Sequence, residues 1–404
     1  MTIRIPQASR GPATAADPRE GGFVLAAAAF GLLVVILLVT GGFFIAQQEF
    51  QVGTANENAA EAFYLTEQSL AEFLGARWDF QTFGSLLAWA PTTLVDTIGS
   101  AELTVEITRT GERTYFVDGS AKTVNRGLYS GATRRVGMVM KMFSPDLEPP
   151  AALTTRGTTQ LTGTAEIQGG DNYPPDWGST LCSPYGVNDK PGVLSNDTSI
   201  VSLESGASDF YGNPPVDEDL AIADSTFTQF DEVSWTELVA MAEKTVGSGG
   251  SFVITQMQPT LHADGTCNKF DPLNWGDPEN PGASCGGYFP TVYINAAGGE
   301  VRLESNGVGQ GVLLVDGDLT LLGRFLWHGI IIVQGNFGTE GAGPRVYGGV
   351  LASNPDLDLQ EIVGGSEIVN STCASTRAVL YNSALTRLRP LTARSWVDLT
   401  GAEN

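Results

Sequence analysis

The feature that most narrows the folds open to this chain is a run without charge: between Glu20 and Glu49 there is no Asp, Glu, Lys, Arg or His. Within it, residues 23–45 consist only of Phe, Val, Leu, Ala, Ile, Gly and one Thr. That is long enough to span a bilayer, which takes roughly 20 residues. A cleaved secretory signal has a shorter apolar stretch and a small-x-small site after it, and Phe44 before Ala46 spoils that pattern. The run therefore reads as a retained anchor. Arg4, Arg10 and Arg19 precede it while Glu49, Glu57 and Glu61 follow, so the positive-inside bias puts residues 1–22 in the cytoplasm and the rest of the chain outside.

From Ala46 to Trp78 there is no Pro, and Ala55, Ala59, Ala62, Phe63, Leu70, Phe73 and Leu74 form an imperfect helical stripe. The anchor is thus expected to continue outward as one helix ending near Leu74, about 75 Å long at 1.5 Å per residue. Gly41, Gly42 and Gly53 are its expected bending points, each costing about 1 kcal/mol relative to Ala. Alternating stretches follow at Glu102 to Thr108, Arg113 to Asp118 and Arg135 to Met142. Gly111, Gly119 and the segment from Gly127 to Gly131 separate them, which predicts three antiparallel strands. A long helix whose outer half packs on a small antiparallel sheet is the expected first unit, residues 46–150 beyond the span.

The order of these parts carries a resemblance. A short basic leader meets a Gly21-Gly22-Phe23 junction, then the apolar span, then Asn58-Ala-Ala-Glu-Ala-Phe-Tyr-Leu-Thr-Glu-Gln-Ser-Leu70. Over about the first 80 residues this resembles the PilX N-terminal-domain family of type IV pilus assembly proteins, which are minor pilins. The resemblance implies cleavage by a prepilin peptidase before Phe23, with cleavage after Gly21 as the alternative, and N-methylation of the new terminus. It also implies a single-pass protein of a bacterial inner membrane whose helix bundles with other pilin-like subunits. Major pilins carry a Glu five residues into the mature chain; counting from Phe23, this chain has Ala27 there. A buried carboxylate would offset the terminal amine of a neighbouring subunit in lipid. A subunit lacking it is suited to a tip or priming position, or remains an unprocessed assembly factor.

Residues 151–404 read as a second, outer unit. Gly311-Val-Leu-Leu-Val-Asp-Gly-Asp-Leu recurs as Gly329-Ile-Ile-Ile-Val-Gln-Gly-Asn-Phe, and Gly348-Gly-Val-Leu351 adds a weaker copy. Repeats near this period are what stacked β-solenoid rungs produce, with a plain antiparallel sandwich as the alternative. Asp318 and Asn336 should sit one above the other at a turn, Val292 to Asn295 and Glu300 to Leu303 are further rung candidates, and the alternation from Gln160 to Ile167 marks the start of a new β unit. An irregular insertion is expected over about 171–290, with one helix from Trp235 to Val246. A C-terminal segment, 372–404, should cap the last rung. The fold class is thus mainly β with a long N-terminal helix: a pilin-like α+β stalk followed by a short β-solenoid head.

Charge and Cys content bound the function. The formal net charge is -23, which excludes nucleic acid as a partner. Residues 160–300 hold 20 acids against 3 bases, so calcium is the cofactor to weigh, with Asp217, Glu218 and Asp219 the first residues to probe. No Asp-x-Asp-x-Asp-Gly loop is present, and no cofactor or metal is expected. Cys182, Cys267, Cys285 and Cys373 are even in number and lie in the outward part, as in an oxidising compartment. Three pairings exist; the favoured one clips Cys267 to Cys285 and ties Cys182 to Cys373. His262 and His328 sit in unrelated contexts, so no catalytic triad can be nominated. Asp316, Asp318, Arg302 and Arg324 could line a solenoid face as in glycan-cleaving enzymes, but acids at solenoid turns are more often structural. The expectation is a non-catalytic minor pilin or pilus assembly protein. A singly anchored surface adhesin with a glycan or cell-surface ligand is the alternative, and a tethered glycan lyase or hydrolase a third.

Overall fold

The computed structural model describes residues 20–98, 101–123, 132–204, 208–341, 343–354, 359–391 and 396–400. Arg4, Arg10, Arg19 and the turn from Gly127 to Gly131 lie outside the described residues. Helix α1 (Glu20–Glu72) is continuous for 53 residues. It does not break at Gly41, Gly42 or Gly53. Nothing lies within 4 Å of a Cβ at any of them, so no packing force bends the rod there. The rod ends instead at a π-turn, Phe73–Arg77, after which Trp78 is extended and donates its N–H to the Phe73 carbonyl at 2.9 Å.

The outer half of α1 lies on an antiparallel meander of β1 (Pro91–Ile98), β2 (Ala101–Arg109), β3 (Thr114–Lys122) and β4 (Thr133–Phe143). Strand β1 was not foreseen. Its Pro91 sits at the first position of an edge strand, where the missing N–H disrupts no ladder. Two more strands join from the far end of the chain: Arg387–Pro390 pairs with β4 near Phe143, and Trp396–Asp398 pairs with β4 near Val136. Leu70, Phe73, Trp78, Phe83, Ile107, Tyr115, Val117 and Met140 form the core between helix and sheet.

The outer unit is a parallel β-solenoid of three ladders. In the first, Val246, Ile294, Val315, Val333, Ala352, Thr155, Ser195 and Glu218 lie in register. In the second, the run is Ile254, Leu303, Leu321, Thr339, Ile362, Leu161 and Leu203. In the third, it is Gly309, Trp327, Val346, Ile368, Ile167 and Phe210. Apart from the exposed Leu203, the Val, Ile, Leu, Trp and Phe of all three point into one core. In the first ladder the outer side is buried as well: Leu314, Ile332, Leu351 and Leu194 pack under Phe227, Phe230, Leu238 and Val379. That is why its strands read as unbroken apolar runs and not as alternation.

The order of rungs in space differs from their order in sequence. Leu153–Thr155 pairs with Val350 to Ala352 on one side and with Val193–Ser195 on the other. The chain thus enters mid-solenoid, winds to one end at Val216–Glu218, crosses to the other end at Lys244–Val246, and winds back to its entry point. Three expectations are corrected by this path. The segment 171–290 is not one insertion, because it supplies the rungs at 193–195, 201–203, 209–211, 216–218, 244–246 and 252–254. The helix expected from Trp235 to Val246 stops at Ala240, since Lys244–Val246 belongs to a rung. The C-terminal segment does not cap an end: leaving from the middle, Thr372–Leu380 lies along the side of the solenoid and the chain then returns to the stalk sheet.

The end that begins with Lys244–Val246 is covered by residues from the loop that follows. Met257 and Trp275 accept backbone hydrogen bonds from Val308 and Gln310 at 3.0 and 2.9 Å, and Trp275 packs edge-on to Trp327. The disulfide Cys267–Cys285 staples this loop, and Cys182–Cys373 ties the short helix Gly178–Cys182 to the lateral helix. Gly311, Gly329 and Gly348 stand in register at one corner with φ of 107°, 137° and 136°. A Cβ on Gly329 would lie 2.0 Å from the Gly311 carbonyl oxygen, so these corners demand glycine twice over, for conformation and for space. At the next corner the backbone N–H of Asn336 donates to Asp318 Oδ1 at 2.7 Å, one residue above the other.

Candidate functional site

Helix α1 is the part of the molecule whose chemistry is least compatible with water. From Phe23 to Val52 its side chains are exposed, Phe23 at 80%, Leu25 at 76% and Leu38 at 70%. It is long and apolar enough to cross a membrane. In a bilayer a helix is one of the few backbones that satisfies all its own polar groups, and a face this greasy must be covered by lipid or by other helices. Of the residues named as a processing junction, Gly21 and Gly22 are in the first turn of α1 and Phe23 follows them. Among residues 23–48 there is no carboxylate to pair with an amine in lipid.

The rod changes character at Asn58. From there one face is buried: Ala62, Thr66, Ser69, Leu70 and Phe73 turn toward the sheet while Tyr64 stays 68% exposed on the other side. Thr66 Oγ1 donates to the Ala62 carbonyl at 2.8 Å inside this seam. Gly119, read from the sequence as a strand end, lies inside β3, where a Cβ would meet Leu70 side-chain atoms at 2.7 Å. A glycine within a strand is the signal that could have shown this close approach. At the end of the rod the Arg77 guanidinium bonds Asp96 of β1 and, at 2.9 Å, Glu72 of α1. The Asp96 carboxylate raises the Arg77 pKa, and Arg77 holds Asp96 below the usual carboxylate range. Helix and sheet thus form one stalk, and the Gln81 amide links it to the head through the Gly287 carbonyl at 2.6 Å.

The other residues singled out in the sequence do not meet at one place, although Asp318 lines an open hollow on the second ladder together with Glu300 and Glu340, the two partners of Arg302. Asp217 and Asp219 accept local backbone N–H groups of Glu218 and Ala221, and Glu218 reaches Thr198. Among the described residues no group of three or more His, Cys, Asp or Glu is placed to hold a metal ion. Arg302 is paired with Glu300 at 2.9 Å and with Glu340, Asp316 accepts from Tyr293 Oη at 3.3 Å, and the Arg324 N–H bonds Ser305. His262 lies beside Phe270 on the stapled loop, whereas His328 is fully buried beside Trp177 and Tyr347.

No family model matches the chain, and no curated protein matches it. A crystal structure of the competence-associated pilin ComZ from Thermus thermophilus aligns with 85% of this chain and 98% of that chain, at 12% sequence identity and a TM-score of 0.27. A superposition that loose carries no inference about this chain.

Proposed function

We propose that this protein is a non-catalytic, membrane-anchored minor pilin or type IV pilus assembly protein. The observation that carries the reading is the division of α1 into a bare apolar half and a half seated on an antiparallel sheet. A rod of that kind sits in a bilayer through its first half and can exchange lipid for sibling rods without refolding, because its own sheet holds only the second half. The positive leader and the acids after the span orient the head to the periplasmic or extracellular side of a bacterial inner membrane. Ala27, where a repeating subunit needs a carboxylate, favours a tip or priming position over repeated stacking. The resemblance of the Gly21-Gly22-Phe23 junction and the 58–70 segment to the PilX N-terminal-domain family supports processing before Phe23.

Replacing residues 23–45 with an unrelated membrane span tests this directly. The expected result is a protein still in the membrane that no longer co-purifies with pilin-like subunits and no longer supports fibres; unchanged fibre formation would refute the reading. Sequencing the mature terminus separates the alternative: a methylated Phe23 fits a processed pilin, and an intact Met1 fits a simple anchored surface protein.

A further inference from the structure

At the end of the third ladder opposite the stapled loop, Glu166–Gln168 and Asp209–Tyr211 lie side by side in parallel. On their outer side is an open hollow of about 390 Å³, lined by Gln168, Gly170, Asn172, Asp189, Tyr211, Gly212 and Asn213. Its walls are tied from behind. Asn370, 1% exposed, donates to the carbonyls of Gly169 and Asn188 at 3.0 and 2.9 Å. Asp171 accepts the N–H groups of Thr372 and Asn188 at 2.9 and 2.7 Å. The Gly169 N–H bonds the Tyr211 carbonyl at 2.7 Å, and the Asn213 N–H bonds the Lys190 carbonyl at 3.1 Å. A hollow held this way has little freedom left to lose when a ligand settles in it.

The front of the hollow is unspent. Gln168 uses its Nε2 on Glu166 at 2.8 Å, Asn172 its Nδ2 on the Gly170 carbonyl at 2.9 Å, and Asp189 its Oδ1 on the Asp171 N–H at 2.8 Å. Among the described residues, Gln168 Oε1, Asn172 Oδ1, Asp189 Oδ2 and the Asn213 amide have no hydrogen-bond partner in the protein. Gln168 Nε2 and Asn172 Nδ2 each keep a second N–H, so the open set mixes amide and carboxylate acceptors with amide donors, beside a Tyr211 ring that is 46% exposed. Open donors and acceptors side by side call for a ligand whose hydroxyls both donate and accept, and an aromatic ring beside them calls for a C–H face. A sugar ring brings both. Anionic ligands are disfavoured, because the lining has no Lys, Arg or His and holds Asp189, with Asp209 and Glu166 on the flanking strands. A cation site would need more free carboxylates, and both Asp171 oxygens are already taken by backbone N–H groups.

We infer that this hollow is a binding site for a neutral hexose unit of a glycan. The inference stands apart from the anchoring and assembly reading and does not rest on it. The test uses the full chain in a detergent without sugar headgroups, with glucose, galactose, mannose, N-acetylglucosamine and maltotriose as neutral probes and galacturonic and N-acetylneuraminic acids as anionic ones. Saturation-transfer NMR and calorimetry should give saturable binding of at least one neutral probe, indifferent to EDTA, with the acids at least about tenfold weaker. Tyr211→Ala should abolish the saturable signal. Should that strand variant fail to fold, Asn172→Ala and Asn213→Ala, both in exposed loop positions, should each weaken binding while leaving the thermal midpoint unchanged. The inference is overturned by no saturable neutral-sugar binding, by equal binding of the acidic sugars, by loss of binding in EDTA, or by binding that survives all three substitutions.

Discussion

The sharpest stability prediction concerns His328. It lies in register between Gln310 and Tyr347 on the outer side of the third ladder, fully buried, with the rings of Trp177 and Tyr347 edge-on at 5.0 and 5.3 Å. Neither of its ring nitrogens has a hydrogen-bond partner among the described residues. Burial alone pushes its pKa down from 6.5 to about 3. In the unfolded chain the imidazole takes a proton as pH falls below 6.5, while in the fold it stays neutral until about 3. Between those values the unfolded state binds more protons, so acid favours unfolding; the contribution is intact above 6.5 and is lost as pH falls toward 3. At about pH 5 the linkage relation gives a loss of about 2 kcal/mol relative to about pH 7.5. Urea unfolding of the full chain and of His328→Phe at both pH values isolates this term, because all the carboxylates are shared by the two proteins. The variant should lose about 2 kcal/mol less than the wild type on acidification. Equal losses would refute the account of a neutral, desolvated imidazole.

The two disulfides should differ in weight. Cys182–Cys373 spans 191 residues and Cys267–Cys285 spans 18, so on loop entropy alone removing the first should cost about 5 kcal/mol and the second about 3, read from denaturation of the paired Cys→Ser variants. Gly329→Ala should destabilise the head by about 3 kcal/mol or more, because its Cβ has no room and its φ is left-handed. Gly338→Ala on the open second ladder, with nothing closer than 3.5 Å, should cost less than about 1 kcal/mol. Thermal unfolding of the two variants checks the contrast. If Ala27 marks a non-repeating position, Ala27→Glu should raise the number of copies per fibre, counted by quantitative immunoblotting of sheared fibres; an unchanged count would argue against the tip or priming assignment.

Much of the molecule was legible because it rests on local rules. The uncharged run, the helical stripe to Leu74 and the 18-residue echo of Gly311 at Gly329 depend on spacing along the chain, and each became an element close to where it was read. What escaped depends on distant segments meeting. Pro91–Ile98 passes for a loop until β2 supplies its partner. The rungs at Leu153–Thr155 and Val193–Ser195 carry no visible repeat, since Thr and Ser fill positions that are Ile or Val elsewhere in the ladder. The Tyr211 hollow joins residues from 168 to 213 that share no motif.

The sequence by itself determined that this chain has a rod too apolar for water and a head of stacked β rungs, because burial of apolar surface and glycine's freedom at corners act residue by residue. Only the tertiary structure decided which rung lies beside which, and hence that the chain enters and leaves the head at its middle and returns to the stalk. Every parallel strand edge presents the same row of N–H and C=O groups, so pairing between rungs is settled by the whole set of cores closing at once.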